Sequence, residues 1–328
     1  MYLLSFLPFA ATFAAVAAKQ PTQDQTPLGP STLFQIPIIG FGTWNLKDNA
    51  TEAVSHAIHT GYRHIDCAAV YGNEKAVGRG ISEGLKKAAL SREDIWVTSK
   101  LWNDHHDPSK VEAAIDKTLS DLNLDYLDLY HMHWPVAETS KGNEIYFLGT
   151  WEAMVQLVQS GKTRRIGISN FSPSQLDTLL NHTTHVPYCH QMELHPYLQQ
   201  EDWISYHRVR GIHVTAYSPL GGTNPTYHEK AKHMPPPLLK NQKMIKLADK
   251  HNSTTAGISL AWGMSRGTSV IPKSAHAERI EENLESKHIE LDSDDLETLT
   301  KLGRDFTYRY NNPSKSWKVK LYEGLEGA

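Results

Sequence analysis

Eight short apolar segments recur along the chain, most of them followed by a stretch with helical spacing, and this alternation limits the fold more than any other feature. The segments are 38–44 (IIGFGTW), 64–68 (HIDCA), 95–102 (IWVTSKLW), 127–134 (LDLYHMHW), 164–170 (RRIGISN), 190–194 (HQMEL), 213–220 (HVTAYSPL) and 268–274 (TSVIPKS). Each is rich in Val, Ile, Tyr or Trp and closes with polar or small residues, as strands do. Helix signals lie between them. Asn49 opens NATEAVSHAIHTG with Gly61 as a stop, Pro108 opens a run with apolar residues at Val111, Ala114, Ile115, Leu119 and Leu122, and Ser172-Pro173 opens PSQLDTLLN. Strands alternating with helices predict a parallel sheet, and eight such units in roughly 250 residues is the size at which the sheet closes. The expected fold is therefore α/β, a single-domain (β/α)8 TIM barrel with variable loops at its carboxyl face.

The 328-residue chain needs no staples for a core of that size. With only Cys67 and Cys189, a disulfide framework and a thiolate-based zinc site are excluded, and two free buried thiols are expected. A net charge of −3 gives no footprint for nucleic acid or an anionic membrane. Residues 1–18 contain an uncharged apolar run with Ala15 and Ala17 ahead of Ala18-Lys19, shorter than the ~20 residues that span a bilayer, and are expected to be a signal peptide, although no basic residue precedes the run. Residues 19–32 are polar and Pro-rich and are expected to be a linker. The barrel is expected over 33–310, and an aromatic, basic tail over 311–328.

Four polar residues fall at or just beyond the carboxyl ends of neighbouring strands: Asp66, Tyr71, Lys100 and His133. Singly, each has an ordinary structural explanation: a capping aspartate, an interfacial tyrosine, a surface lysine, a core histidine. Jointly they converge on one mouth of the barrel, where barrel enzymes do chemistry. A lysine closing an apolar strand needs a carboxylate if buried, and Asp66 can supply it. The lysine cation is then expected to lower the pKa of Tyr71 and make it a usable general acid.

The segments GYRHIDCAAVYGNE, TSKLWN, LDLYHMHWP, RRIGISNF, QMELHPYL, AYSPLG and IPKSAHAERIEEN, spread over about residues 35–290, resemble the signature segments of the aldo-keto reductase family, in the family's order. The resemblance implies a short N-terminal hairpin, a monomer, a small-molecule carbonyl substrate and NADPH as cofactor, with no metal. It gives Tyr71 the role of proton donor, Lys100 that of lowering its pKa, Asp66 that of holding Lys100, and His133 that of orienting the carbonyl. It implies that Ser169, Asn170 and Gln191 hold the nicotinamide carboxamide, that Tyr217 stacks on the nicotinamide, and that Ser218 and Leu220 line the pyrophosphate path. Gly42, Thr43, Trp44 and Asp66 belong to the same cofactor set. Lys273, Ser274 and Arg279 match a clamp on a 2′-phosphate, which NAD lacks, and Glu282 and Asn283 would contact adenine. Trp44, Trp102 and Trp134 would wall the substrate pocket with Tyr71 and His133. An NADP-binding regulatory barrel with little turnover is the alternative the same family allows.

Competing signals are weaker. Tyr71-x-x-x-Lys75 matches the pair of short-chain dehydrogenases, but no G-x-G-x-x-G follows a first strand. His131 and His133 alternate on one strand without a third metal ligand at a suitable spacing, so His131 is expected in the barrel interior. Sequons stand at Asn49, Asn170, Asn181 and Asn252, and the one at Asn170 would collide with the cofactor. A secretory leader points to the secretory pathway, whereas NADPH chemistry points to an intracellular compartment. The loop after His133, the segment 221–240 with its MPPPLL run, and the tail are where the substrate would be chosen.

Overall fold

The apolar runs become parallel strands: β1 (Phe41–Gly42), β2 (His64–Asp66), β3 (Trp96–Leu101), β4 (Leu129–Met132) and, after a hairpin of β5 (Val136–Thr139) and β6 (Gly142–Ile145), β7 (Ile166–Ser169), β8 (Cys189–Glu193), β9 (His213–Tyr217) and β10 (Ser269–Val270). The computed structural model describes residues 35–223 and 234–325. The expected signal peptide and linker lie outside those residues, as does the hairpin expected ahead of the first strand. Among the described residues the eight parallel strands form one sheet in the order β1-β2-β3-β4-β7-β8-β9-β10. The sheet closes on itself: the Gly40 N–H donates to Val270 O at 2.8 Å, the Val270 N–H to Ile38 O at 2.9 Å and the Gly42 N–H to Pro272 O at 2.9 Å. The paired stretches are shorter than the apolar runs, because a tilted barrel strand has neighbours on both sides over only part of its length.

Helices α1 (Ala50–Thr60), α2 (Glu74–Ala88), α3 (Pro108–Leu122), α4 (Leu148–Gln159), α5 (Pro173–His182), α6 (Glu201–Arg208), α7 (Gln242–Lys250), α8 (Thr255–Ser265), α9 (Ala277–Glu285) and α10 (Ser293–Asp305) cover the sheet, and a one-turn α11 (Ser314–Trp317) follows. The expected start and stop signals operate. Ser172 caps α5 in a reciprocal box with Gln175, and Gly61 ends α1 at φ 122°, a conformation open to glycine. None of these helices is long and apolar enough to cross a membrane.

Two expectations need correction. The residues after His133 are not a plain loop: Val136 pairs with Ile145 and Thr139 with Gly142 in an antiparallel hairpin, closed by the Thr139 hydroxyl donating to Gly142 O at 2.8 Å. Cys189 does not precede its strand but begins β8. Both cysteines are buried and free, as expected. His131 is buried, and a Cβ on Gly167 of the adjacent strand would stand 2.6 Å from its Nδ1, so only glycine fits there.

Glu74, in the first turn of α2, is a buried carboxylate that accepts from the Ser99 hydroxyl of β3 at 2.6 Å and the Thr118 hydroxyl of α3 at 3.1 Å. Burial outweighs both hydrogen bonds and pushes its pKa up to about 6. A carboxyl group raised in the folded state contributes its stability below the unfolded value and loses it as pH rises through the folded one. Glu74→Gln keeps one acceptor and gains a donor toward Thr118. Relative to the parent, it is expected to gain about 2 kcal/mol between pH 4 and pH 7. Urea midpoints at the two pH values check this; a difference independent of pH would show that the carboxylate is not strained.

Candidate active site

The strand ladder sets the four polar residues side by side at one mouth. Asp66 ends β2, and Lys100 lies in β3 opposite His131 of β4, two residues short of His133. The Lys100 ammonium, fully buried, donates to Asp66 Oδ2 at 2.6 Å and to Cys67 O at 2.7 Å, and reaches the Tyr71 hydroxyl at 3.4 Å. The Tyr71 ring stands edge-on to His133 with centroids 5.9 Å apart, and Trp102 also meets His133 edge-on, at 5.1 Å. Asp66 has a second partner that the sequence reading did not include: the Gln191 side-chain amide donates to its Oδ1 at 2.7 Å. The lysine's counter-ion is therefore tethered from β8, across the barrel.

The electrostatics differ from expectation at one point. Tyr71 is raised to about 12, because burial outweighs the lowering effect of Lys100. Lys100 acts in the expected direction without winning. Burial also presses on the Lys100 ammonium, but Asp66 and Tyr71 more than offset it, so its pKa is raised and it stays charged. His133 is held well below its ordinary value by burial and then by the Lys100 charge, and is neutral. At neutral pH the site thus holds a protonated phenol beside an ammonium and a neutral imidazole.

Tyr71 and His133 open into a cavity of about 840 Å³, lined also by Gln191, Tyr217, Ser218, Leu220, Lys273, Ser274, Arg279, Glu282 and Asn283, whereas Asp66 and Lys100 are buried and do not line it. Gly42, Trp44, Trp102, Trp134 and Asn170 also line it. Thr43 and Ser169 do not. Thr43 is buried with its hydroxyl donating to Asp66 O at 2.9 Å, and Ser169 Oγ accepts from the Asn170 amide at 3.0 Å. Both side chains are almost fully buried beside these partners. Asn170 gathers the neighbouring groups: its amide also donates to His133 O at 3.0 Å, and its Oδ1 accepts from the Tyr217 hydroxyl at 2.7 Å.

The tail enters the site more deeply than the sequence suggests. Trp317 packs edge-on against Trp102 at 5.9 Å and Trp134 at 5.0 Å, and the Tyr322 hydroxyl reaches Asn170 Oδ1 at 3.3 Å. Asn311 donates to the Tyr217 hydroxyl at 3.1 Å. The tail is held by Glu193, a buried carboxylate that accepts the Tyr310 and Asn311 N–H groups, each at 2.8 Å. These partners are separated by more than ninety residues, so although the tail was expected to help choose the substrate, its partners could not be read from the sequence.

The far end of the cavity suits an anion. His276 precedes α9 without a side-chain cap, so the first N–H groups of that helix have no side-chain acceptor there. Among the described residues neither Lys273 nor Arg279 has a carboxylate partner, and the Lys273 pKa is lowered, first by burial and then by the Lys47 charge. Two unneutralised cations beside a helix start fit a phosphate group.

Comparison with known proteins agrees with this geometry. The sequence model of the Aldo/keto reductase family matches residues 38–304. An uncharacterized oxidoreductase of Schizosaccharomyces pombe is 42% identical over 89% of this chain and 92% of its own length. The NAD(P)H-dependent D-xylose reductase I,II of Candida tropicalis is 40% identical, over 85% of this chain and 92% of its own. The crystal structure of a Bombyx mori aldo-keto reductase in complex with NADP superposes with a TM-score of 0.80 at 33% identity, covering 88% of this chain and 95% of that one. The closed eight-stranded barrel, its polar mouth and these likenesses agree, and the chain belongs to the aldo/keto reductase family of oxidoreductases.

Proposed function

We propose that this chain reduces an aldehyde or ketone to the alcohol with NADPH, Tyr71 giving the proton. The observation that carries the reading is the buried Lys100 ammonium, set between Asp66 and the hydroxyl of Tyr71, which itself lines a cavity that also bears Lys273 and Arg279. When bound, NADPH supplies the hydride to the carbonyl carbon. The carbonyl oxygen is met by the Tyr71 hydroxyl, and neutral His133 faces the same space with an N–H to direct at that oxygen. As Tyr71 gives up its proton, negative charge grows on the phenolate beside the buried Lys100, whose attraction is stronger there than at an exposed site. Asp66, tethered by Gln191, keeps Lys100 charged and aimed. Ser169, Asn170, Gln191 and Tyr217 would hold the nicotinamide end, and Lys273, Ser274 and Arg279 the 2′-phosphate. Trp44, Trp102, Trp134 and Trp317 make an aromatic wall, which favours apolar or mixed carbonyl compounds.

The reading is tested by following cofactor oxidation against a panel of aldehydes and ketones, with NADPH and NADH in parallel. Turnover that prefers NADPH is expected. Tight NADPH binding with no turnover on any carbonyl would replace this reading with that of a regulatory NADP-binding barrel. In the same assay the double variant Lys273→Ala, Arg279→Ala is expected to raise the NADPH KM about a hundredfold, from two lost charge-assisted contacts, and the NADH KM by less than about threefold. Equal losses on both cofactors would remove the 2′-phosphate assignment.

A further inference from the structure

Behind the wall of the cavity lies a chain of hydrogen bonds that the reaction does not use directly. The Phe171 N–H, at the turn that follows β7, donates to His190 Nε2 at 3.1 Å. His190 Nδ1 lies 2.7 Å from His207 Nε2, and His207 Nδ1 lies 2.5 Å from the carbonyl oxygen of Trp203, one turn earlier in α6. Both imidazoles are fully buried.

The two ends of this chain dictate its protons. A backbone N–H can only donate, so His190 Nε2 is bare and the His190 proton is on Nδ1. That proton points at His207 Nε2, which must accept it. The His207 proton is then on Nδ1 and goes to the Trp203 carbonyl, which can only accept. Every polar atom of the pair is used once, and each ring is fixed in its Nδ1–H form. Burial holds both histidines below their ordinary values, consistent with two neutral rings.

The amide at the head of the chain is a sensitive place. Phe171 follows Asn170, which sits at φ 62°, a left-handed conformation that asparagine adopts more readily than other residues with a side chain. Asn170 is also the residue whose amide and carbonyl oxygen tie together His133 O, Ser169 Oγ and the Tyr217 hydroxyl along the cavity wall. Two consecutive residues of β8 restrain two consecutive amides of this turn. Gln191 O accepts the Asn170 N–H at 3.2 Å, and His190 accepts the next one. His190 and Gln191 alternate on the strand, so the first reaches the helical layer while the second faces Asp66.

We infer that His190 and His207 are positioning residues: a two-imidazole strut from α6 holds the Phe171 amide, and through it keeps Asn170 turned into the cofactor cavity. The inference rests on the proposed NADPH site. His207 does not line the cavity, and its hydrogen bond to His190 is its direct link toward the Phe171 amide. Without an acceptor at His207, His190 can move its proton to Nε2, where it would oppose the Phe171 N–H.

The test is a titration of NADPH into the full chain and its variants, together with ¹⁵N NMR of the histidine rings. His190→Leu and His207→Leu are expected to weaken NADPH binding about five- to tenfold, the size of one lost buried hydrogen bond. His190→Gln, whose far oxygen can still accept from Phe171, is expected to stay within about threefold of the parent. In the parent, both rings should show the Nδ1–H form, and His190 should lose it in His207→Leu. If His190→Leu does not fold, His207→Leu and His190→Gln decide the matter. Parent-like binding and an unchanged His190 tautomer in His207→Leu would overturn the strut, as would a glutamine variant no better than leucine. A parent that binds no NADPH would instead overturn the cofactor reading and the strut with it, so the two failures are distinguishable.

Discussion

Tyr71→Phe is expected to bind NADPH as the parent does and to reduce carbonyl compounds about a hundred to ten thousand times more slowly, the range that a positioned general acid contributes. The substitution removes one oxygen atom. The ring remains to meet His133 edge-on, and Lys100 keeps Asp66 and Cys67 O as partners. The loss should therefore appear in kcat, with the NADPH dissociation constant unchanged. Because burial raises the hydroxyl to about 12, the parent carries its proton throughout the neutral range, and activity assigned to this group should decline only as pH climbs toward that value. Single-turnover rates across pH, for parent and variant, check both statements. A phenylalanine variant with the parental rate would remove Tyr71 as the acid. A parental rate that falls near neutrality would assign the controlling ionisation to another group.

The barrel and its four polar mouth residues were legible because each was out of character with its surroundings. Asp66, Lys100 and His133 are polar residues near the carboxyl ends of apolar runs, and strand order alone brings neighbouring ends together. Lys273 and Arg279 were legible only through the family resemblance of the segment IPKSAHAERIEEN, since two cations on an amphipathic helix are otherwise ordinary surface charges. Contacts that depend on where a side chain turns after its strand ends were not legible. Nothing local in QMEL says that Gln191 reaches Asp66 across the barrel, and nothing in RRIGISN says that the Asn170 side chain ties Ser169 Oγ to His133 O and the Tyr217 hydroxyl. The tail is a harder case: Asn311, Trp317 and Tyr322 have partners in units fixed long before them in the chain, and such pairings carry no periodicity. The net direction of the Tyr71 shift was misjudged because burial, the larger influence, is a property of the whole fold, whereas the lysine beside it could be inferred from two neighbouring strands.

Lys100→Met is expected to cost about 3–5 kcal/mol of stability and nearly all activity, and the two losses should come apart when Asp66 is changed as well. Methionine fills much of the lysine volume but leaves Asp66 as a buried carboxylate held through Oδ1 by Gln191, with no cation at Oδ2. An uncompensated buried charge accounts for the stability loss. In the parent, Lys100 has a folded-state pKa above its ordinary value, so its contribution is complete below about 10 and fades as pH rises through the folded value. Adding Asp66→Asn to Lys100→Met removes the orphaned charge and should recover most of the stability, because the two sites are in contact and their effects are not additive. Activity should not return, since a tyrosinate forming at Tyr71 would still lack a cation within reach. Urea unfolding and steady-state turnover on the two single variants and the double variant decide the matter. Recovery of both properties in the double variant would mean that Lys100 serves only to neutralise Asp66. Recovery of stability alone would show that the ion pair exists to keep a positive charge beside Tyr71, and that the fold carries the expense of burying it.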